Sequence, residues 1–189
     1  NPQIVGPTPD GYYLLFTVGA NVEPSVAIDC TKSPKPPPAS EGAAAAGLIS
    51  MGYSKGSPTG PWSEPRVVLT NNNSSNVSAS DWDCAISNPS PTLLPNGTMM
   101  LVFSSLPCTG PNYGKFGTSL GVAFAPHWND TYTQSKVPIW LKKGPAWPEP
   151  SANGVGNCED PFVWRSRRGY YHILSHSQGQ LNVCGGGEG

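Results

Sequence analysis

One phrase occurs three times in this chain: Asn or Asp followed by Pro, a short apolar run, a polar turn closed by Gly, and a second apolar run. Asn1-Pro2 leads to Gly11 and the run Tyr12 to Phe16; Asn88-Pro89 leads to Gly97 and Met99 to Phe103; Asp160-Pro161 leads to Gly169 and Tyr170 to Leu174. The step from Pro to Gly is 9, 8 and 8 residues. Two apolar runs of strand length around a Gly-closed turn read as a β-hairpin. The same hairpin at a nearly fixed offset reads as a structural repeat. Within the first copy, Tyr12, Leu14 and Phe16 alternate with Tyr13, Leu15 and Thr17, so both faces of that strand are largely apolar. A strand covered on both faces needs sheets stacked on either side.

A second hairpin follows the first in each complete copy. Leu48, Ile49, Met51 and Tyr53 lead to Gly60-Pro-Trp62 and Pro65 to Leu69, and Gly121 to Tyr132 repeats the arrangement. The repeating unit is therefore four antiparallel strands beginning at Asn1, Asn88 and Asp160, with steps of 87 and 72 residues. The longer step contains residues 20–46, which lose all periodicity and include the Pro-rich run Ser33 to Ser40. That insertion reads as a surface segment. Four-stranded sheets whose faces are buried only against their neighbours are β-propeller blades. The expected fold is all-β, with residues 1–189 forming part of a single propeller domain and blades starting near 1, 88 and 160. Two blades and half of a third do not close a ring, so the chain is expected to be a piece of a larger propeller or to take blades from another copy.

The 22 Gly and 22 Pro among 189 residues suit many short strands joined by turns. Eleven basic and twelve acidic residues leave a formal charge of -1 with no basic stripe, which excludes nucleic acid as the expected partner. No apolar run approaches the roughly 20 residues of a membrane-spanning helix. A neutral polymer such as a polysaccharide fits this balance best. No phosphate loop or metal-ligand spacing is present, and no cofactor is expected.

Asn-X-Ser/Thr sequons stand at Asn72, Asn73, Asn76, Asn96 and Asn129, all in expected turns or loops. With five cysteines in a loop-rich chain they point to secretion, N-glycosylation and disulfides. Cys84 and Cys108 bracket the second repeat's first hairpin, and Cys158 and Cys184 bracket the third's, so each hairpin brings a pair to one end. Cys30 is left without an evident partner in the sequence.

These motifs resemble the five-bladed propellers of glycoside hydrolase family 43 and its relatives. The resemblance rests on Asn1-Pro2 with Gly11 to Leu15, Met51-Gly-Tyr-Ser54 with Gly60-Pro-Trp62, Asn88-Pro89 with Gly97 to Met100, and Glu159-Asp-Pro-Phe162 with Gly169 to Tyr171. It implies carboxylates projecting from first strands into an axial pocket and hydrolysis with inversion, which needs a general acid and a general base about 6.5–9.5 Å apart. By the resemblance Glu159 and Asp160 are the catalytic candidates, with Glu159 the general acid; adjacent strand residues face opposite ways, so one of the two is expected to enter the pocket, and with Glu159 there Asp160 caps backbone amides beside Pro161. A structural role for both carboxylates at a strand entry is the competing reading. Asn1 and Asn88 stand where the family has Asp; a carboxamide is neither acid nor base near neutral pH, but can bind a sugar hydroxyl. A base is then expected from a missing blade or from a loop such as that of Asp81 or Asp83.

Trp82, in a polar loop, is the expected sugar-stacking aromatic, whereas Trp128 and Trp164 are expected to pack between blades. His172 and His176 are about 13 Å apart along a strand and do not share a metal. His127 reads as an exposed turn residue with no evident partner, and Arg165, Arg167 and Arg168 as a solvated hairpin tip. An inactive propeller serving as a structural or adhesive module is the alternative to a glycan-active one.

Overall fold

The computed structural model describes residues 2–19, 47–70, 83, 85–106, 119–136, 138–139 and 157–178, with the side chains of 85, 106, 119, 157–159 and 176–178 excepted. Ten strands run in chain order: β1 (Gln3–Val5), β2 (Tyr12–Val18), β3 (Leu48–Lys55), β4 (Arg66–Thr70), β5 (Ala85–Leu93), β6 (Met99–Leu106), β7 (Ser119–Ala125), β8 (Thr133–Gln134), β9 (Asn157–Arg165) and β10 (Tyr171–Gln178). They form two four-stranded antiparallel meanders, β1-β2-β3-β4 and β5-β6-β7-β8, and a two-stranded sheet β9-β10. The described residues contain no helix. The chain is all-β, built of partial propeller blades, as the repeat predicts. Residues 20–46 lie outside the described residues.

The three first hairpins turn in the same way. Gly11 N–H donates to Thr8 O and Thr8 N–H to Tyr12 O; Gly97, Leu94 and Thr98 repeat the pair, as do Gly169, Ser166 and Tyr170. The three glycines have φ of 85°, 86° and 89°. A turn followed by one left-handed residue suits the twist of the flanking strands, and Gly adopts that conformation without the clash a Cβ brings. This is the physical content of the fixed Pro-to-Gly offset in the sequence.

The core lies between sheets one and two. Leu14 and Phe16 of β2, with Ile49 and Met51 of β3, meet Ile86, Met99, Leu101 and Phe103 of sheet two in one fully buried cluster. Cross-strand pairing of Leu14 with Tyr53 and of Phe16 with Met51 sets these residues on one face of sheet one. Tyr13, Leu15 and Thr17 fall on the other face and are half-buried. Sheet two uses its second face, with Ser90, Val102 and Ser104 all buried, against β9 of sheet three. The first strands β1, β5 and β9 are successive neighbours, each touching the next. In sheets one and two the other three strands follow this first strand in chain order, and in sheet three β10 follows β9.

Candidate site on the inner strands

The chemistry-bearing residues of the repeat sit at breaks in the inner strands. In β5 the pairing with β6 shifts between Ser87 and Ser90, and in the β9–β10 pair it shifts between Leu174 and His176, opposite Asp160 and Pro161. At these two breaks Asn88 and Asp160 have φ of 47° and 48°. They are the non-glycine residues with positive φ among the described residues. The following Pro disfavours the right-handed helical region for the residue before it. Asn and Asp are the L residues that best tolerate the left-handed region, through their short polar side chains. Pro89 and Pro161 are both buried, so each break wedges its ring into the packing beneath it.

The two breaks are tied together. Val163 N–H, three residues beyond Asp160, donates to Ser90 Oγ at 3.1 Å, two residues beyond Asn88. Asn88 is half-buried and Asp160 is exposed. Glu159 pairs through its backbone with His176, but its side chain lies outside the described residues. Asn1, Asp81 and Trp82 also lie outside them, as do Cys30, Cys84, Cys108, Cys184 and the Cys158 side chain, so neither disulfide pairing is located. Asp83 is buried, and its Oδ2 accepts from Gln134 Nε2 at 2.7 Å. That bond fastens the approach to the inner strand β5 to the outermost strand β8 of the same sheet. Asn72, Asn73 and Asn76 lie outside the described residues, whereas Asn96 and Asn129 are exposed on turns. Asn96 Oδ1 accepts from Thr98 N–H at 3.1 Å within its own turn.

Two readings of individual residues are corrected. His127 has partners: its Nε2 lies 3.6 Å from Asp10 Oδ2, its Nδ1 accepts from Asn129 N–H at 3.3 Å, and its ring lies 5.3 Å from that of Trp128. The sequence concealed this because Asp10 belongs to the first hairpin turn and His127 to a turn of the next sheet, joined only by sheet stacking. Trp164 is partly exposed on the face of sheet three turned away from sheet two, stacked on His172 with centroids 5.1 Å apart. Trp128, in contrast, is buried between sheets as expected. Its Nε1 donates to both carboxylate oxygens of Asp10 at 3.2 Å, and its ring lies 5.0 Å from Tyr12 and 5.3 Å from Tyr53. The Thr8 hydroxyl bonded to Asp10 is the leading cause that holds this carboxyl below its ordinary value of 3.8; partial burial opposes it, while Trp128, the backbone and His127 act in the same sense as Thr8. Asp10 and Trp128 thus join the two sheets across a seam.

Stacked four-stranded meanders with their first strands in series define a partial β-propeller. No protein-family model matches this sequence, and no curated protein is similar to it at a significant level. Among solved structures, the chain is similar to a mutant of the GH43 protein BlXynB from Bacillus licheniformis, at 14% identity and a TM-score of 0.36. That match covers 95% of this chain and 37% of the bacterial one.

Proposed function

We propose that this chain is the part of a glycan-active propeller in which successive inner-strand openings meet a neutral sugar. Asn88 contributes a carboxamide for sugar hydroxyls, and the Glu159-Asp160 opening contributes one carboxylate, Glu159, as general acid. The observation supporting this is the shared left-handed backbone at Asn88 and Asp160 on neighbouring strands linked through Ser90 and Val163. Non-glycine residues held in a sparsely populated conformation gather where a side chain must be aimed. The near-neutral charge of the whole chain suits an uncharged ligand. A secreted, N-glycosylated protein carrying disulfides fits the sequons and cysteines.

One observation favours the second reading, an inactive structural module. Tolerance of the left-handed region by itself accounts for Asn and Asp at these positions, with no ligand required. Turnover of arabinan, xylan and aryl glycosides, beside the Glu159→Gln variant, separates the two. A glycan-active protein turns over at least one substrate, and Glu159→Gln reduces that by about 100-fold or more, the contribution of a positioned general acid. Absence of turnover on every substrate, together with absence of binding, supports the module; turnover unchanged in Glu159→Gln removes the role assigned to that residue.

A further inference from the structure

Ser90 differs from its counterparts in the other two copies of the repeat. The second residue after each opening is Gln3, Ser90 and Phe162, and the third is Ile4, Pro91 and Val163. In sheet three β9 pairs with β10 alone, so alternate N–H groups of β9 point away from that partner, and one of these, on Val163, donates to Ser90 Oγ at 3.1 Å. Ser90 is 3% and Val163 8% exposed, so water does not compete for the bond. The equivalent bond between sheets one and two has no donor, because Pro91 carries no N–H. The link therefore belongs to the seam between sheets two and three.

Its place on the two strands is what gives it a consequence for chemistry. Ser90 stands two residues past Asn88 on β5, and Val163 stands three past Asp160 and four past Glu159 on β9. The β5–β6 ladder shifts between Ser87 and Ser90, and the β9–β10 ladder between Leu174 and His176. Each opening is thus held by a disrupted ladder within its own sheet. A slip of β9 against β5 moves Glu159 relative to Asn88 while Asn88 stays in place. The Ser90 hydroxyl opposes that slip.

We propose that Ser90 is a positioning residue for the reaction assigned above: through Val163 it holds the Glu159 opening at a fixed distance from Asn88, so that the acid meets the leaving oxygen of a sugar that Asn88 binds. This rests on the reading of Glu159 as general acid. In that reaction Glu159 protonates the leaving oxygen as its bond to the anomeric carbon breaks, and water adds to that carbon and gives its proton to a base. A misplacement of about 1 Å at such a group costs up to about 100-fold in rate.

Turnover of aryl glycosides with dinitrophenyl and phenyl leaving groups, by wild type, Ser90→Ala, Glu159→Gln and the double variant, tests this. Dinitrophenolate departs without a proton and phenolate needs one, so a misplaced acid lowers kcat on the phenyl substrate and spares the other. Ser90→Ala is expected to lose about 10- to 100-fold in kcat on the phenyl glycoside and little on the dinitrophenyl one. KM changes less than kcat, since Asn88 lies on Ser90's own strand. In the Glu159→Gln background Ser90→Ala leaves the ratio between the two substrates where Glu159→Gln alone put it, because the two residues act as one unit. Equal losses on both substrates, a ratio unchanged from wild type, or a further change of ratio in the double variant each overturns the proposal and leaves the role of Glu159 standing. A wild type without turnover, or a Glu159→Gln protein with the wild-type ratio, removes the general-acid reading and this inference with it. Should Ser90→Ala fold poorly by circular dichroism, the near-isosteric pair Ser90→Thr and Ser90→Val takes its place. The threonine variant keeps the acceptor and the wild-type ratio, the valine variant shows the phenyl-specific loss, and equal ratios in the two overturn the proposal.

Discussion

Trp128→Phe measures how strongly the first two sheets are joined. The indole is almost wholly buried, its Nε1 donates to both oxygens of Asp10, and its ring contacts Tyr12 and Tyr53 from the neighbouring sheet. Phenylalanine keeps much of the ring contact but loses the donor. A hydrogen bond to a charged group contributes about 1.5–3 kcal/mol when dry; here Asp10 is 42% exposed, so water replaces part of it and about 1 kcal/mol remains. Loss of the second ring removes about another 1 kcal/mol of apolar burial. Trp128→Phe is therefore expected to cost about 2 kcal/mol, and Trp128→Ala about 3–5 kcal/mol because it also leaves a cavity. Urea unfolding followed by far-ultraviolet circular dichroism reads this without depending on tryptophan emission. Combined with Asp10→Ala in a double-mutant cycle, Trp128→Phe should show a coupling of about 0.5–1.5 kcal/mol. A Trp128→Phe stability within about 0.3 kcal/mol of wild type, or a cycle with no coupling, refutes the seam as a source of stability.

Other outcomes follow from single positions. Asn88→Ala should destabilise by about 1 kcal/mol, because alanine lacks the short polar side chain that lets asparagine tolerate the left-handed region, while Asn88→Gly should fold as well as wild type yet lose glycan binding; calorimetric titration with soluble xylan or arabinan checks the second half. Gly97→Ala should cost about 1 kcal/mol in denaturant unfolding through backbone conformation alone, since its added Cβ meets nothing within 4 Å. Ser90→Ala leaves the buried Val163 N–H without its acceptor and should cost about 1–3 kcal/mol by the same measurement. Asp10 has a lowered native pKa, so its contribution is complete above the unfolded value of about 3.8 and is lost as pH falls through the native one. Acid titration of stability should therefore fall more steeply for wild type than for Asp10→Asn below about pH 4, and equal slopes would show that the carboxylate contributes nothing.

The hairpins were legible because their signals are local. A turn glycine with alternating apolar residues on either side reports its own conformation, and Gly11, Gly97 and Gly169 all adopt the left-handed geometry that their spacing implied. Stacking was legible in the two-sided pattern of Tyr12 to Thr17. The seam was not, because Asp10 and Trp128 stand 118 residues apart and neither has a local mark of its partner. The inner-strand residues were legible in position but incomplete in meaning. Asn88 in place of Asp read as the loss of a carboxylate, whereas its backbone supplies a separate reason for either residue: both tolerate a conformation that most side chains refuse. The exposure of Trp164 was hidden for a related reason, since an aromatic on a strand reads alike whether or not a sheet covers it.

Two consecutive inner strands are broken in the same way and held side by side. Backbone NMR of the labelled protein tests this directly, by reading φ at Asn88 and Asp160 and the proximity of the Val163 amide to the Ser90 side chain. Positive φ at both residues and a strong nuclear Overhauser contact between Val163 HN and Ser90 Hβ are expected. Extended φ at either residue, or no contact between those protons, contradicts this arrangement.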